Sequence, residues 1–367
     1  MRSCSNLPYM LVATFLIVLT TTSACAGSRG SAPADSGGAS PNRQFEPDPR
    51  EKHFSTLTML TSGGENAEAY FSYDGTQLVF QSTRPPYDCD QILVVPVAGG
   101  DPQLVSTGKG RTTCAYFTGG DKRIIYASTH LADVECPTPP DMSQGYVWAL
   151  YPGFDIFSLD LQGNELIQLT DTPGYDAEAT VSPAGDKIVF TSVRDGDLDI
   201  YTMNLDGSDV KRLTDTEGYD GGPFFSPDGS MIVYRAHHPS EPDALKDYQV
   251  LLANHKVRPS RMEIWVMDVN GENQRQITNL GCASFAPFFH PSGRKIIFSS
   301  NHPTPRSREF ELFMVDLDGD NLEQVTFSEQ FDGFPMWASD GETFVFCSNR
   351  HNAKPGETNI FLTKWKD

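Results

Sequence analysis

The sequence predicts an all-β fold, a six-bladed β-propeller whose blades are sheets of four antiparallel strands, named a to d in chain order. A turn of the Ser-Pro-Asp-Gly type recurs six times, and a short β-branched or aromatic run follows nearly every copy. A second turn, of the Leu-Asp-Gly type, recurs five times. Successive copies of the first turn lie 46, 64, 44, 64 and 48 residues apart, and this spacing is typical of propeller blades.

The first turn connects strands a and b. Pro presets one turn dihedral and Gly supplies a positive φ, so these tetrapeptides predict hairpin turns. The flanking runs are rich in Ile, Val and Phe, which strands prefer. The six copies begin at Ser72, Thr118, Ser182, Ser226, His290 and Ala338.

The second turn connects strands c and d. An alternating strand precedes each copy, as at residues 199–204, and a polar strand ending in Leu-Thr follows, as at residues 211–214. The five copies begin at Val97, Leu161, Leu205, Val269 and Leu317.

The unequal numbers of the two turns predict how the ring closes. The chain ends in strand c of the sixth unit, residues 359–364, so that unit lacks its own strand d. Residues 57–61, near the N-terminus, parallel residues 166–170, which are a strand d. We therefore expect the N-terminal strand to complete the last blade, giving one propeller over residues 53–367 with no open edge.

The residues before the propeller have the pattern of an export signal. The apolar run at residues 11–19 is too short to span a bilayer and is typical of a signal peptide. Residues 22–25 resemble a bacterial lipobox, although Thr22 stands where Leu is usual. We expect a signal peptide at residues 1–24, lipid attachment at Cys25 and a flexible tether at residues 25–52. The alternative is an ordinary signal peptide cleaved near Ala24 or Ala26.

Charge limits the classes of partner. The formal net charge is −20, which opposes binding to nucleic acid or to an anionic bilayer. We therefore expect no nucleic-acid partner, membrane contact through the lipid anchor only, and a monomer. Export to the periplasm, or lipid anchoring at the outer membrane, follows from the N-terminal pattern.

The cysteines also fit export. Five remain after Cys4 and Cys25 are set aside, so at least one is a free thiol or pairs elsewhere. We expect one disulfide among Cys89, Cys114 and Cys136, with the pairing left open. Cys282 and Cys347 lie in or beside strands and are expected to be buried thiols.

The repeat unit resembles the TolB-type propeller repeat. The third unit, residues 179–216, matches best, with its Ser-Pro-Ala-Gly turn, its Ile-Tyr-Thr-Met-Asn-Leu-Asp-Gly segment and its Arg-Leu-Thr ending. The resemblance extends over the whole predicted propeller. It implies the fold and says little about activity.

Polar residues gather where strands a begin and strands b end, on one face of the propeller. One interpretation is that each cation pairs with a carboxylate of the neighbouring blade and locks the two blades together. The other is a polar funnel that binds an extended peptide, a sugar or a metal ion. The candidate residues are Arg84, His130, Asp176, Glu178, Arg194, Asp220, His238, His302, Asp332 and Arg350.

Two blades carry insertions between strands b and c, on the same face as the funnel. The insertion at residues 131–153 contains Trp148 and Tyr151. The one at residues 237–261 has a helix-start pattern with Pro242 in the first turn, followed by Tyr248 on an apolar stripe. We consider two roles, a lid or docking ledge formed by these aromatic residues, and insertions that simply pack on each other.

The functional prediction is a non-catalytic, envelope-anchored binding module for an envelope protein, a peptide or an oligosaccharide. No sequence motif of a serine hydrolase, a zinc protease or a P-loop enzyme is present. The alternative is a hydrolase or lyase acting on peptides or acidic oligosaccharides, because lyases with this repeat use His and a metal. That reading calls for a divalent cation held by His130, His238 and His302.

Overall fold

The computed structural model describes residues 42–143 and 145–367. Six antiparallel sheets surround a central channel, so the predicted six-bladed propeller is confirmed. In blade 1, strands a to d span Glu65–Phe71, Gln77–Thr83, Gln91–Pro96 and Gln103–Leu104. In blade 2 they span Thr112–Phe117, Arg123–Ser128, Asp155–Asp160 and Leu166–Gln168. In blade 3 they span Asp176–Val181, Lys187–Ser192, Asp199–Asn204 and Lys211–Arg212.

Blades 4 to 6 repeat this order. In blade 4, strands a to d span Tyr219–Phe225, Met231–His237, Glu263–Asp268 and Arg275–Gln276. In blade 5 they span Ser284–Phe289, Lys295–Ser300, Glu311–Asp316 and Glu323–Gln324. In blade 6 strands a to c span Asp332–Trp337, Thr343–Ser348 and Asn359–Lys364, and strand d is Leu57–Met59 from the N-terminal part of the chain.

The middle of every strand b holds a fully buried aromatic residue. It is the fourth residue of the strand in each blade, where the repeated Ile-Val-Phe pattern places it. Burying one such ring contributes about 2 kcal/mol through the hydrophobic effect, so the repeat supplies the core of each blade. The six residues are Phe80, Tyr126, Phe190, Tyr234, Phe298 and Phe346.

The N-terminal strand closes the ring as expected. Thr58 lies opposite Leu362, and Met59 lies opposite Phe361. Thr61 also reproduces a hydrogen-bond pattern of the other blades, because its hydroxyl accepts the Ile360 amide at 3.0 Å and donates to Asn359 at 3.1 Å. In blade 3 the hydroxyl of Thr214 does the same with the Ile200 amide and the Asp199 carboxylate.

The propeller begins earlier than the composition predicts. Strand Arg43–Phe45 pairs with Leu57–Met59 and makes the last blade five-stranded. Glu51 is buried and Phe45 stacks on His351 with ring centroids 3.9 Å apart. Residues 42–52 therefore belong to the propeller, whereas the predicted signal peptide and Cys25 lie outside the described residues. This role could not be predicted from the polar composition of residues 42–52, because an edge strand that contributes little to the hydrophobic core needs no apolar pattern.

The two insertions pack on each other. Residues Trp148–Ala149 pair with Lys256–Val257 in a two-stranded ribbon. Helix α1, Pro242–Ala253, begins with Pro in its first turn as predicted, but its N-cap is Glu241, whose side chain forms no capping hydrogen bond. Tyr248 of this helix is buried and donates its hydroxyl to the Gly218 carbonyl at 2.6 Å.

One disulfide joins the loops of blades 1 and 2. Cys89 is bonded to Cys136, and Cys114 is a free thiol. Cys282 and Cys347 are buried and unpaired with other cysteines, as expected. Among the helices of the described chain, none has the length and apolar character needed to cross a bilayer.

Candidate ligand-binding funnel

A ring of β-bulges shapes the central channel. Strand a of every blade shifts its register at the same place, between Ala67 and Tyr70 in blade 1 and at matching residues in the others. The residue on each bulge has a φ between 49° and 59°. Together these six residues line one cavity: Glu68, Cys114, Glu178, Gly222, Ala286 and Phe334.

Aromatic residues close the channel below this ring. Tyr70 of blade 1 meets Phe224 of the opposite blade 4 with ring centroids 5.4 Å apart, so the contact crosses the axis. Tyr116 and Phe288 also pack against Phe224. Further down, Tyr73 donates its hydroxyl to the Ser182 carbonyl of blade 3 at 2.9 Å. The channel is therefore a blind funnel that opens on the face of the insertions.

The polar side of the funnel centres on an ion pair between Glu178 and Arg235. The Glu178 carboxylate accepts hydrogen bonds from the Arg235 guanidinium, from the Thr191 hydroxyl at 2.8 Å and from the Gly222 amide at 2.9 Å. Arg235 also donates to the Tyr219 hydroxyl at 2.7 Å, and its guanidinium lies 5.0 Å from the Trp148 ring. Every charge of this pair is thus compensated inside the protein.

Two adjacent glycines make room for Arg235. A Cβ at Gly222 would lie 2.1 Å from a guanidinium nitrogen of Arg235, and one at Gly221 would lie 2.7 Å from the Glu178 carboxylate. Gly222 also has a φ of 59°, which glycine adopts at little cost. The absence of side chains at Gly221 and Gly222 in blade 4 therefore leaves the space through which Arg235 of strand b extends to the axis.

Glu68 faces the same cavity from blade 1. The Cys114 thiol lines the cavity with it, and no Lys, Arg or His of the described residues forms an ion pair with its carboxylate. Burial raises the pKa of Glu68 to about 7, against a smaller lowering by the Cys114 contact. Glu68 is thus a carboxylate that is half ionised near neutral pH.

The opposite side of the funnel is an aromatic wall, which we define as Phe285, Phe310, Phe331 and Phe334. Phe285 contacts Phe310 at a centroid distance of 4.9 Å and Phe334 at 5.7 Å. Trp148 of the insertion ribbon extends the wall, edge-on to Phe285 at 6.4 Å. All four phenylalanines are partly exposed, so solvent reaches the wall.

The cavity between the polar side and the aromatic wall is small. Its volume is about 30 Å³, which is enough space for about two water molecules. Glu68, Cys114 and Phe334 are partly exposed within it. The arrangement therefore accommodates a compact polar group with an apolar neighbour, and a sugar ring would require the wall to move.

The predicted cations at the strand ends form pairs within their own blades. Arg194 lies 3.0 Å from Asp176 in blade 3, and His238 lies 2.9 Å from Asp220 in blade 4. Arg350 lies 2.6 Å from Asp332 in blade 6 and also pairs with Glu51. The interpretation in which each cation pairs with a carboxylate of the neighbouring blade is wrong for these three, because strands a and b of one sheet bring each pair together at their shared end.

The remaining candidates follow the same strand-end pattern. Arg84 donates to Asn66 at 2.6 Å, and His130 bonds Ser128 at 2.8 Å. His302 is exposed and lies against Phe313. Within residues 42–143 and 145–367, no three His, Cys, Asp or Glu side chains are placed to hold a metal ion, so the three expected histidines stay apart.

The insertion aromatics have different surroundings. Trp148 is partly exposed and donates its indole N–H to the Tyr146 hydroxyl at 3.1 Å. Tyr151 donates to the Thr138 carbonyl at 3.2 Å, and Tyr248 of helix α1 is buried. Of these three residues, only Trp148 contacts the residues of the funnel, through Arg235 and Phe285.

Glu178 lies in the funnel as predicted from the sequence, whereas its partners were not predicted. Arg235 occupies the fifth position of strand b, where blades 1, 3 and 5 have Gln81, Thr191 and Ser299. A charge at this position, together with the Gly-Gly pair opposite, was the available signal. Cys114 and Glu68 were visible only as residues near strand a, because a bulge cannot be read from side-chain types.

Comparisons with known proteins agree with the geometry. A family model described as the TolB beta propeller domain matches residues 140–251. TolB from Acinetobacter baumannii aligns with a TM-score of 0.57 and 16% identity over 80% of this chain, and the match spans 64% of that protein, under two thirds of its length. A TolB homologue from Agrobacterium tumefaciens aligns with a TM-score of 0.54 and 19% identity over 85% of this chain and 95% of its own.

A third structure comes from an enzyme. Oligogalacturonate lyase from Vibrio parahaemolyticus aligns with a TM-score of 0.51 and 13% identity over 88% of this chain and 96% of its own. No curated protein sequence matches the chain significantly. At these identities the likeness concerns the fold, and the chain has a TolB-like propeller fold.

Proposed function

We propose that this TolB-like propeller is a non-catalytic, exported binding module that receives a protruding part of a partner protein in its blind funnel. The observation that carries the proposal is the pairing of an aromatic wall with a carboxylate that lacks a cation, both partly open to solvent. Exposed aromatic groups beside a defined polar group are typical of recognition sites.

The state of the arginines favours binding over the alternative enzyme. An enzyme acting on acidic oligosaccharides needs cations that are free to hold uronate groups. Arg194 and Arg350 are instead engaged with carboxylates of their own blades, and Arg84 with Asn66. The net charge of −20 would also repel a polyanion.

Site-specific photocrosslinking tests the proposal in the cell envelope of the organism that makes the protein. A benzoyl-phenylalanine at Phe310, on the aromatic wall, should form a discrete crosslinked product with another envelope protein. The matched control places the same group at Leu322, which is 39% exposed in the turn between strands c and d of blade 5, on the other face. Equal products at both positions, or none at Phe310, would contradict a partner at the funnel.

The N-terminal pattern supports anchoring of this module through a lipid on Cys25. The Cys25→Ser variant should then move from the membrane fraction to the soluble envelope fraction, because one modified residue supplies the anchor. Cys4→Ser, within the expected signal peptide, is the control and should leave the distribution unchanged. An unaltered membrane fraction for the Cys25 variant would refute anchoring at this residue.

A further inference from the structure

We propose that the group entering the funnel is basic, an ammonium or guanidinium on a short apolar stem, with its charge against Glu68 and its stem along the aromatic wall. This inference rests on the proposed function, and it names the chemistry of the part of the partner that is bound.

Carboxylates outnumber cations among the charged side chains that line the cavity. Glu68 and Glu178 are both on the bulge ring, and Arg235 is the cation that lines the cavity with them. Arg235 forms an ion pair with Glu178, whose carboxylate also accepts hydrogen bonds from the Thr191 hydroxyl and the Gly222 amide. Glu68 is left with the Cys114 thiol, and a thiol is a weak donor. The cavity therefore has one carboxylate in excess.

The ionised form of this carboxylate is costly in the cavity. A carboxylate that is largely shielded from solvent and has no cation as partner is unfavourable in its ionised form, and Glu68 responds by holding a proton more tightly. The charged or titratable groups around it are Cys114, Glu178, Arg235, Asp90, Tyr70 and Cys347. A bound cation would supply the missing partner, and binding would release a proton from Glu68 near neutral pH.

The shape and chemistry of the surroundings suit a small cation on an apolar stem. The cavity has room for about two waters, which suits a head group of a few atoms. Phe334 lines the cavity beside Glu68, and the rest of the aromatic wall rises from it toward the open face. Aromatic faces bind cations and the apolar stems that carry them. Arg235 shows the same chemistry within the protein, since it lies over both Trp148 and Tyr219.

The test uses the mature protein and two small probes, n-butylguanidinium and its neutral isostere n-butylurea. Saturation-transfer NMR measures both affinities at pH 8 for the wild type, for Glu68→Gln and for the control Glu65→Gln. Glu65 is an exposed residue at the start of the same strand. We expect at least a tenfold preference for the cation in the wild type and in the control, and less than twofold in Glu68→Gln.

A pH series separates binding at Glu68 from a structural effect of the substitution. The affinity of the wild type for butylguanidinium should rise about tenfold between pH 6 and pH 8, because Glu68 ionises in this interval. The Glu68→Gln variant should show no such rise. Equal binding of the two probes by the wild type, or an unchanged preference in Glu68→Gln, would overturn the inference.

The two proposals fail in different ways. If crosslinking at Phe310 succeeds and is the same in the Glu68→Gln variant, a partner docks at the funnel and the basic group is refuted. If butylguanidinium binds through Glu68 but no crosslinked protein appears, the cation site stands and the protein partner is refuted. Glu68→Gln should unfold at the wild-type temperature or above, since it removes an unpaired charge.

Discussion

At the scale of single residues, Gly222 decides whether Arg235 reaches the axis. A methyl group there would collide with the guanidinium and break the contacts that hold Glu178. We expect Gly222→Ala to lower the free energy of unfolding by about 3 kcal/mol, as loss of a buried ion pair does. The measurement is urea denaturation followed by circular dichroism.

The matched control for Gly222→Ala is Gly75→Ala. Gly75 has a φ of 70°, and nothing lies within 4 Å of a Cβ built there. It therefore isolates the backbone cost, about 1 kcal/mol. Similar losses in the two variants would show that the Arg235 contacts add nothing to stability.

Arg350 is another residue whose removal leaves charges buried. Its guanidinium pairs with Glu51 at 2.9 Å and Asp332 at 2.6 Å, and both carboxylate side chains are fully buried. Arg350→Ala should lower the free energy of unfolding by about 4 kcal/mol. Arg194→Ala is the comparison and should cost less, because Arg194 is more exposed and pairs with Asp176 alone. Calorimetry that ranks the two variants in the reverse order would contradict this account.

At the scale of the strand, each blade fastens strand d to strand c through one hydroxyl. The hydroxyl accepts the second amide of strand c and donates to the polar side chain of the first residue. Burial raises the pKa of that first residue to about 6 at Asp155 and about 7 at Asp199. Burial and then the Asp332 charge raise the pKa of Glu311.

These carboxyls make stability depend on pH. Each has a higher pKa in the folded chain than in the unfolded one, so its contribution is complete below about pH 4 and is lost as the pH rises through the folded value. We expect the free energy of unfolding to fall by about 2 kcal/mol between pH 6.5 and pH 8.5. Urea denaturation at intervals across this range measures it.

The control for the pH series is Glu311→Gln, since blade 1 already has Gln91 at the equivalent position. The amide does not titrate, so the fall in stability with pH should become smaller in this variant. An identical pH dependence in the variant and the wild type would rule out Glu311 as a contributor.

The strands were more predictable than the connections between them. The Ile-Val-Phe runs and the Gly-containing turns repeat, so twenty-four blade strands lie where the periodicity places them. Residues Arg43–Phe45 escaped because an edge strand needs no apolar pattern. The ribbon between Trp148 and Val257 was not predicted, because its paired residues are at least 107 positions apart in the sequence and meet only in the folded chain.

At the scale of the whole molecule, the N-terminal segment holds the ring shut at two places. Strand Leu57–Met59 completes the sheet, and Glu51 pairs with Arg350 at the end of strand b of the same blade. A chain that starts at residue 42 should match the full mature protein in stability. A chain that starts at residue 53 should lose about 2–3 kcal/mol, the worth of hydrogen bonds to a charged group.

A still shorter chain, starting at residue 63, should fail to give a cooperative transition, because strand d of the last blade is gone. Differential scanning calorimetry of the three chains measures the series. Equal transitions for the chains that start at residues 42 and 53 would show that Glu51 and strand Arg43–Phe45 are dispensable.

The candidate site was predictable in its position and only partly in its membership. The face and the axis follow from where equivalent strand ends meet, and Glu178 was found in this way. Whether a polar residue has an ion-pair partner depends on distances between residues of different repeat units, and the sequence of one unit does not reveal these distances. Asp176, for example, is a carboxylate near the start of strand a, as Glu68 is, yet Asp176 is neutralised by Arg194 and Glu68 has no such ion pair among the described residues.

The contact between Tyr70 and Phe224 across the axis has one more consequence. A polypeptide or polysaccharide cannot thread through this propeller and leave by the far side. A bound chain must therefore end or reverse its direction at this contact. The funnel is suited to bind a chain terminus, the tip of a loop or a single side chain rather than an extended stretch of repeating polymer.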